Sequence, residues 1–256
     1  MSIMQTELRA EHLAIAPGGQ KLIDDLNWRV APGEFWCILG QNGVGKTSLL
    51  YALCGLEPAA SGKILLNEVP LAAWPAGELA RKRGFMPQQQ IDSFSSSVLA
   101  TVLVGRTPHR TGGGWDSDED VAAAQAALAA VGLTHKAGMD VLTLSAGQRQ
   151  RVALAALLAQ DPALMLLDEP VAHQDVSQQL AMMRFIRELA GRHAVISSCH
   201  DIDLAARFAT HVLVLAEGRY WLGAADEVLT VEILQQAFEC RFELQKSGGV
   251  RSFIPY

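Results

Sequence analysis

An α/β fold, built on a parallel sheet with an antiparallel β region before it and an all-helical insertion within it, follows from three stretches of sequence. Residues 40–47 read Gly-Gln-Asn-Gly-Val-Gly-Lys-Thr and fill every fixed position of the phosphate-binding loop pattern G-x-x-x-x-G-K-[ST]. Residues 163–215 alternate short apolar runs with helical ones, the rhythm of a parallel sheet covered on both faces. Between them, residues 93–158 are rich in alanine and leucine and read as helix.

Taken in order, 8–15 and 26–30 are apolar alternations separated by Pro17-Gly18-Gly19, and so read as strands. Residues 35–39 are the strand that a phosphate-binding loop requires before it. The helix opened at Thr47 ends at Gly55 and Pro58, and 62–66 is a further strand. In the helical stretch, Ser117 and Asp120 form a capping box before 121–131, with Gly132 as the stop. Beyond it come strands 163–167, 194–198 and 211–215, with helices 175–190 and around 204–208. Met182, Phe185, Ile186 and Leu189 fall at helical spacing and read as core. The tail, 241–244 and 250–254 around Gly248-Gly249, reads as a hairpin. The division expected is 1–90 with 159–256 as a core carrying the β region, and 91–158 as the helical block.

At 256 residues, half of them apolar, the chain is long enough to bury a large core. Its formal charge of −6 offers no basic face for a polyanion, so nucleic acid is disfavoured as a partner. Cys37, Cys54, Cys199 and Cys240 are scattered without metal-type spacing and read as free thiols in a reducing compartment. No export signal is expected at 1–16, and no apolar run approaches the ~20 residues that span a bilayer.

The chemistry concentrates in two places. Gly40, Gly43 and Gly45 permit backbone angles that turn successive N–H groups onto phosphate oxygens. Asn42 and Ser48 flank that cradle, Lys46 adds positive charge for the β and γ phosphates, and Thr47 offers a hydroxyl to Mg²⁺. The apolar run 163–167 then ends in Asp168 and Glu169, two carboxylates at the carboxyl end of a parallel strand, where open α/β sheets bind ligands. Asp168 is expected to hold Mg²⁺ opposite Thr47, leaving Glu169 to orient or deprotonate water. Together these residues imply a user of nucleoside triphosphates.

Leu144-Ser145-Ala146-Gly147-Gln148 resembles the signature of ATP-binding cassette (ABC) ATPases, usually written LSGGQ. Physically, Ser145 caps a helix running to Ala159 and Gly147 keeps its first turn open, making a second anion-binding helix start. The resemblance covers nearly the whole chain and implies a P-loop NTPase core of the RecA-like kind. It implies a homodimer in which each ATP lies between the phosphate loop of one chain and Ser145, Gly147 and Gln148 of the other. Gln88 matches the loop glutamine that reaches metal and attacking water, His200 the switch histidine of the γ-phosphate, and Asp175 the loop aspartate linking the two sites.

Departures from the pattern are Pro17 where an aromatic residue commonly stacks on adenine, Ala146 for glycine, and Val171 and Gln174 for the more common threonine and leucine. Residues 102–109, Val-Leu-Val-Gly-Arg-Thr-Pro-His, resemble a segment of ATPases that drive uptake of iron-siderophores, haem and vitamin B12. That branch implies a peripheral subunit on the cytoplasmic face of the inner membrane. Its partners would be a polytopic permease docked near Gln88 and the helical block and, indirectly, a periplasmic or surface substrate-binding protein. Rivals are a cassette ATPase serving DNA or the ribosome, which the absence of a long coiled-coil insertion disfavours, an ATP-binding subunit without useful turnover, and an importer of another nutrient or metal ion.

Overall fold

The computed structural model describes residues 6–89, 94–110, 115–172 and 174–256. Its elements are β1 (Leu8–Ile15), β2 (Ile23–Val30), β3 (Phe35–Gly40), α1 (Lys46–Cys54), β4 (Ser61–Leu66), β5 (Val69–Pro70), α2 (Ala76–Lys82) and β6 (Arg83–Met86). The helical stretch contributes α3 (Val98–Leu103), α4 (Asp118–Ala130) and α5 (Ala146–Gln160). There follow β7 (Leu164–Leu167), α6 (Val176–Leu189), β8 (Ala194–Ser198), α7 (Ile202–Phe208), β9 (His211–Ala216), β10 (Arg219–Ala224), α8 (Ala225–Val228) and α9 (Val231–Phe238), and the chain closes on β11 (Phe242–Ser247) and β12 (Val250–Pro255).

The main sheet runs β10-β9-β3-β8-β7-β6, parallel except for β10, which returns antiparallel along β9. A second, antiparallel sheet runs β2-β1-β4-β5. The central strands carry no polar alternation because both of their faces are buried. Phe35, Cys37 and Leu39 of β3 point with Met165, Leu167, Val195, Val212 and Val214 into one cluster, which continues through α3, α4, α5, α6 and α7. Trp36 and Ile38 point the other way, with Leu164, Leu166, Ile196, Leu213 and Leu215, onto α1 and the antiparallel sheet. The helical stretch therefore shares one continuous core with the sheet.

Sequence patterning found β1, β3, β7, β8, β9 and the terminal hairpin, and the capping box of Ser117 with Asp120 forms as expected. It missed β5, β6, β10, α2, α8 and α9, all short or half-exposed. The helix starting after Ser145 runs to Gln160, two residues past the expected block boundary. The Gly112 to Gly114 turn and His173 lie outside the described residues.

The segment 102–109 has a physical role in this packing. It forms a 3-10 turn over Val104–His109 that lies on the end of α5. A Cβ on Gly105 would sit 2.0 Å from the carbonyl oxygen of Ala156, so only glycine permits the approach. Arg106 donates to Asp120 and to the Ala159 carbonyl, both at 2.8 Å, and His109 Nε2 donates to the Gln160 carbonyl at 2.8 Å. Two of the carbonyls that the end of α5 would otherwise leave unpaired are thereby satisfied. Gln160 in turn donates to the Ala80 and Arg83 carbonyls, fastening the same end to α2 and to β6, the strand that leads to Gln88.

Candidate functional site

The carboxyl ends of β3, β7 and β8 lie side by side and bring the loops after them together. At the end of β3 the chain turns through Gly40, Gly43 and Gly45, with φ of 148°, 80° and 109°, values that favour glycine. A Cβ on Gly40 would lie 2.6 Å from the Leu215 carbonyl, whereas nothing approaches Gly43 within 4 Å. The loop is thus closed behind and open in front. Gly45 is the residue before α1, and no side chain caps that helix, so its first N–H groups face the cleft uncompensated.

Lys46 is buried and folds back to donate to the Gly40 and Gln41 carbonyls, at 2.8 and 3.0 Å. Burial pulls its pKa below the ordinary lysine value, against the upward pull of Glu169 and Asp168. Thr47 donates to Asp168 at 2.9 Å, and Ser198 at the end of β8 donates to the other oxygen of Asp168 at 2.6 Å. The Glu169 N–H donates to Ser198 Oγ at 2.8 Å, so one hydroxyl registers both acids. Glu169 has φ of 49°, a left-handed conformation that costs a glutamate free energy and has to be held by its surroundings. One of its carboxylate oxygens accepts from Gln88 Nε2 at 2.6 Å and the other meets His200 Nε2.

Leu22, Asn42, Gly43, Gly45, Lys46, Thr47, Ser48, Gln88, Glu169 and His200 line one cleft of about 390 Å³. Cradle, charge, hydroxyl and the Glu169 carboxylate converge there, with Asp168 buried behind Thr47. The hard oxygen pair of Thr47 and Asp168 fits Mg²⁺, and the open glycine face fits phosphate. Sequence reasoning missed Ser198 and Leu22. Two serines ending the apolar run of β8 at the ligand edge of the sheet are the signal for the first; no local signal marks Leu22. Pro17, which stands where the resembled pattern commonly has an aromatic residue, lies exposed in a 3-10 turn (Pro17–Gly19) and does not line the cleft.

The remaining expected residues gather elsewhere. Ser145 caps α5, accepting from the Gln148 N–H at 3.3 Å while Gln148 Oε1 accepts from the Ser145 N–H at 3.2 Å. Asp175 caps α6, accepting from the Gln178 N–H at 2.9 Å and from Ser177, whose hydroxyl holds its pKa below the ordinary value. None of Ser145, Gly147, Gln148 or Asp175 lines the cleft. Ser145, Ala146 and Asp175 are exposed. Cys199 is buried, its thiol pushed up to about 12 by burial, and it donates to the Asp201 carbonyl, so it is no nucleophile for His200.

A phosphate loop, a carboxylate pair on the next strand and a capped second helix start match the ABC transporter family, whose profile covers residues 23–172. The chain belongs to that family. It is an ABC ATPase, and ATP is its substrate.

The hemin import ATP-binding protein HmuV of Pseudomonas aeruginosa is 40% identical over 93% of this chain and 95% of its own length. The cobalamin import ATP-binding protein BtuD of Halobacterium salinarum is 37% identical over 90% of this chain, which spans 58% of that longer protein. The petrobactin import ATP-binding protein FpuD of Bacillus anthracis is 33% identical over 99% of the chain and 94% of its own. Among solved structures, an ABC transporter described as of the metal-chelate type, captured facing inward, superposes with a TM-score of 0.86 at 28% identity, covering 98% of both chains. The cbiO1 protein of Clostridium perfringens, part of the ABC transporter complex cbiONQ, gives 0.76 at 28% identity over 90% of this chain and 92% of that one.

Proposed function

We propose that this ATPase is the energy-supplying subunit of an importer for an iron-siderophore, haem or cobalamin, seated peripherally on the cytoplasmic face of the inner membrane. Two copies would close around two ATP molecules, each held by the phosphate loop of one chain and by Ser145, Gly147 and Gln148 of the other. The observation that carries this reading is the separation within one chain of two anion-ready helix starts, α1 inside the cleft and α5 exposed outside it. One bound triphosphate does not need both within a single chain.

In the closed pair, Lys46 exchanges the Gly40 and Gln41 carbonyls for phosphate oxygens. Thr47 and Asp168, with Gln88, would hold Mg²⁺, which would supply positive charge against the developing charge on the phosphates. Glu169 must let go of Gln88 and His200 to take up the attacking water as general base, and His200 then turns to the γ-phosphate. Asp175, at the exposed start of α6, faces the partner and links the two sites.

A groove of about 300 Å³ lies between the strand leading to Gln88 and the helical stretch, walled by Phe85, Pro87, Val104, Arg149, Ala153 and Leu157. In this reading it receives a short cytoplasmic helix of the permease, and residues 91–158 move with it relative to 1–90 and 159–256. The cargo rests on the import proteins it resembles and on the 102–109 segment. A periplasmic or surface binding protein would deliver it. No helix among the described residues is long and apolar enough to cross a membrane, and in this reading the permease supplies the path across.

Extracting a tagged Glu169→Gln chain from membranes with ATP and Mg²⁺ tests this. One polytopic membrane protein recovered in equal amount supports the importer. Recovery of DNA or ribosomes contradicts it.

A further inference from the structure

Two glutamines connect the loop before α6 to the back of Glu169, and neither has a part in the chemistry described so far. Gln150 lies on α5, five residues after Ser145, and is buried. Its Nε2 donates to the main-chain carbonyl of Glu169 at 2.9 Å. Gln174, next to Asp175, donates from its Nε2 to Gln150 Oε1 at 2.9 Å and to the Pro170 carbonyl at 3.2 Å.

The direction of every bond is fixed from both ends. A carbonyl can only accept, so Gln150 has to present its nitrogen to Glu169 and its oxygen to Gln174, which has to present nitrogen in return. Leucine, the commoner residue at position 174 in the resembled pattern, could not close this chain of bonds. The stretch supported is a strained one, since Glu169 has φ of 49° and its N–H is tied to Ser198.

We propose that Gln174 is a positioning residue for hydrolysis. It orients the Gln150 amide and, through it, fixes the Glu169 backbone, so that the placement of the hydrolysing carboxylate depends on the loop carrying Asp175. The same contact reaches the signature turn. A Cβ on Gly147 would lie 3.8 Å from Gln174 Cγ and 3.4 Å from Gln178 Oε1, so the start of α5 rests on this loop. A shift of the loop is thereby transmitted to Glu169 within one chain.

The test is steady-state turnover of MgATP by the full chain, with the ATP concentration dependence and the melting temperature measured beside it. Gln174→Leu should lower kcat about threefold to tenfold, the worth of one neutral hydrogen bond. KM for ATP should stay within about twofold, because no nucleotide contact is touched. The melting temperature should hold or rise, since Gln174 borders an apolar cleft formed by Leu154, Met182 and Phe185. Gln174→Glu should be slower than Gln174→Leu. The new carboxylate can only accept, so Gln150 has to turn its nitrogen away from Glu169 and its oxygen onto that carbonyl. Gln150→Leu combined with Gln174→Leu should match Gln150→Leu alone, the mark of two residues acting in series. Wild-type kcat in Gln174→Leu, a Gln174→Glu no slower than Gln174→Leu, losses that add in the double variant, or a kcat loss that merely follows a lowered melting temperature would each overturn the proposal.

Discussion

The starts of α1 and α5 are both helix ends suited to anions, yet they are built in opposite ways. Gly45 before α1 has no side chain to spend on the first turn, and the loop opens onto a cleft already lined by the Lys46 cation and the Glu169 carboxylate. Ser145 before α5 satisfies one N–H of its turn by a capping box with Gln148, and Ser145 and Ala146 are exposed outside the cleft. The first is a complete half of a binding site. The second is stable empty and has only its outermost N–H groups and a serine hydroxyl to offer. Such a difference is expected where ATP binds first to α1 and the α5 end arrives later, on a second chain.

The largest change should come at the cleft. Glu169→Gln should lower turnover by roughly 10²- to 10⁴-fold, the range of a general base, while nucleotide binding measured by fluorescence titration is retained. Lys46→Ala should weaken ATP binding about a hundredfold in the same titration, since it removes a buried cation that engages the loop and, after it, the phosphates. Ser145→Ala should separate the two ends more finely. Turnover should fall about tenfold and thermal stability by about 1 kcal/mol from the lost cap, while ATP affinity of the isolated chain stays unchanged. A drop in that affinity would place Ser145 in its own chain's site and erase the contrast.

The smallest effect belongs to the far end of α5, where Arg106 holds the Asp120 carboxyl down from its ordinary 3.8 to about 2. A carboxyl lowered on folding contributes stability that is present above about pH 4 and lost as pH falls through about 2. Asp120→Asn should therefore lower the melting temperature at pH 7, and the difference from wild type should shrink in acid.

Much of the cleft was legible because its signals are local. The phosphate loop is eight contiguous residues, Asp168 and Glu169 follow an apolar run, and Ser117 and Ser145 sit three residues from their box partners. The rest was hidden because it is made by distant residues. Ser198 meets Asp168 across thirty positions, and Gln174 meets Gln150 across twenty-four. Strand β6 has four residues, one of them Gly84, too few for a period to show, and β10 is a half-exposed edge. The order β10-β9-β3-β8-β7-β6 is a property of crossovers that no window of sequence contains.

Sedimentation of the Glu169→Gln chain, with and without ATP and Mg²⁺, tests the central claim most directly when run beside the same chain carrying Ser145→Glu. Two half-sites on two chains predict a monomer without nucleotide and a dimer with it. They also predict that the added carboxylate at position 145, set against the partner's phosphates, leaves a monomer with ATP still bound. A monomer that binds ATP without pairing, or a dimer indifferent to the charge at position 145, would contradict the account.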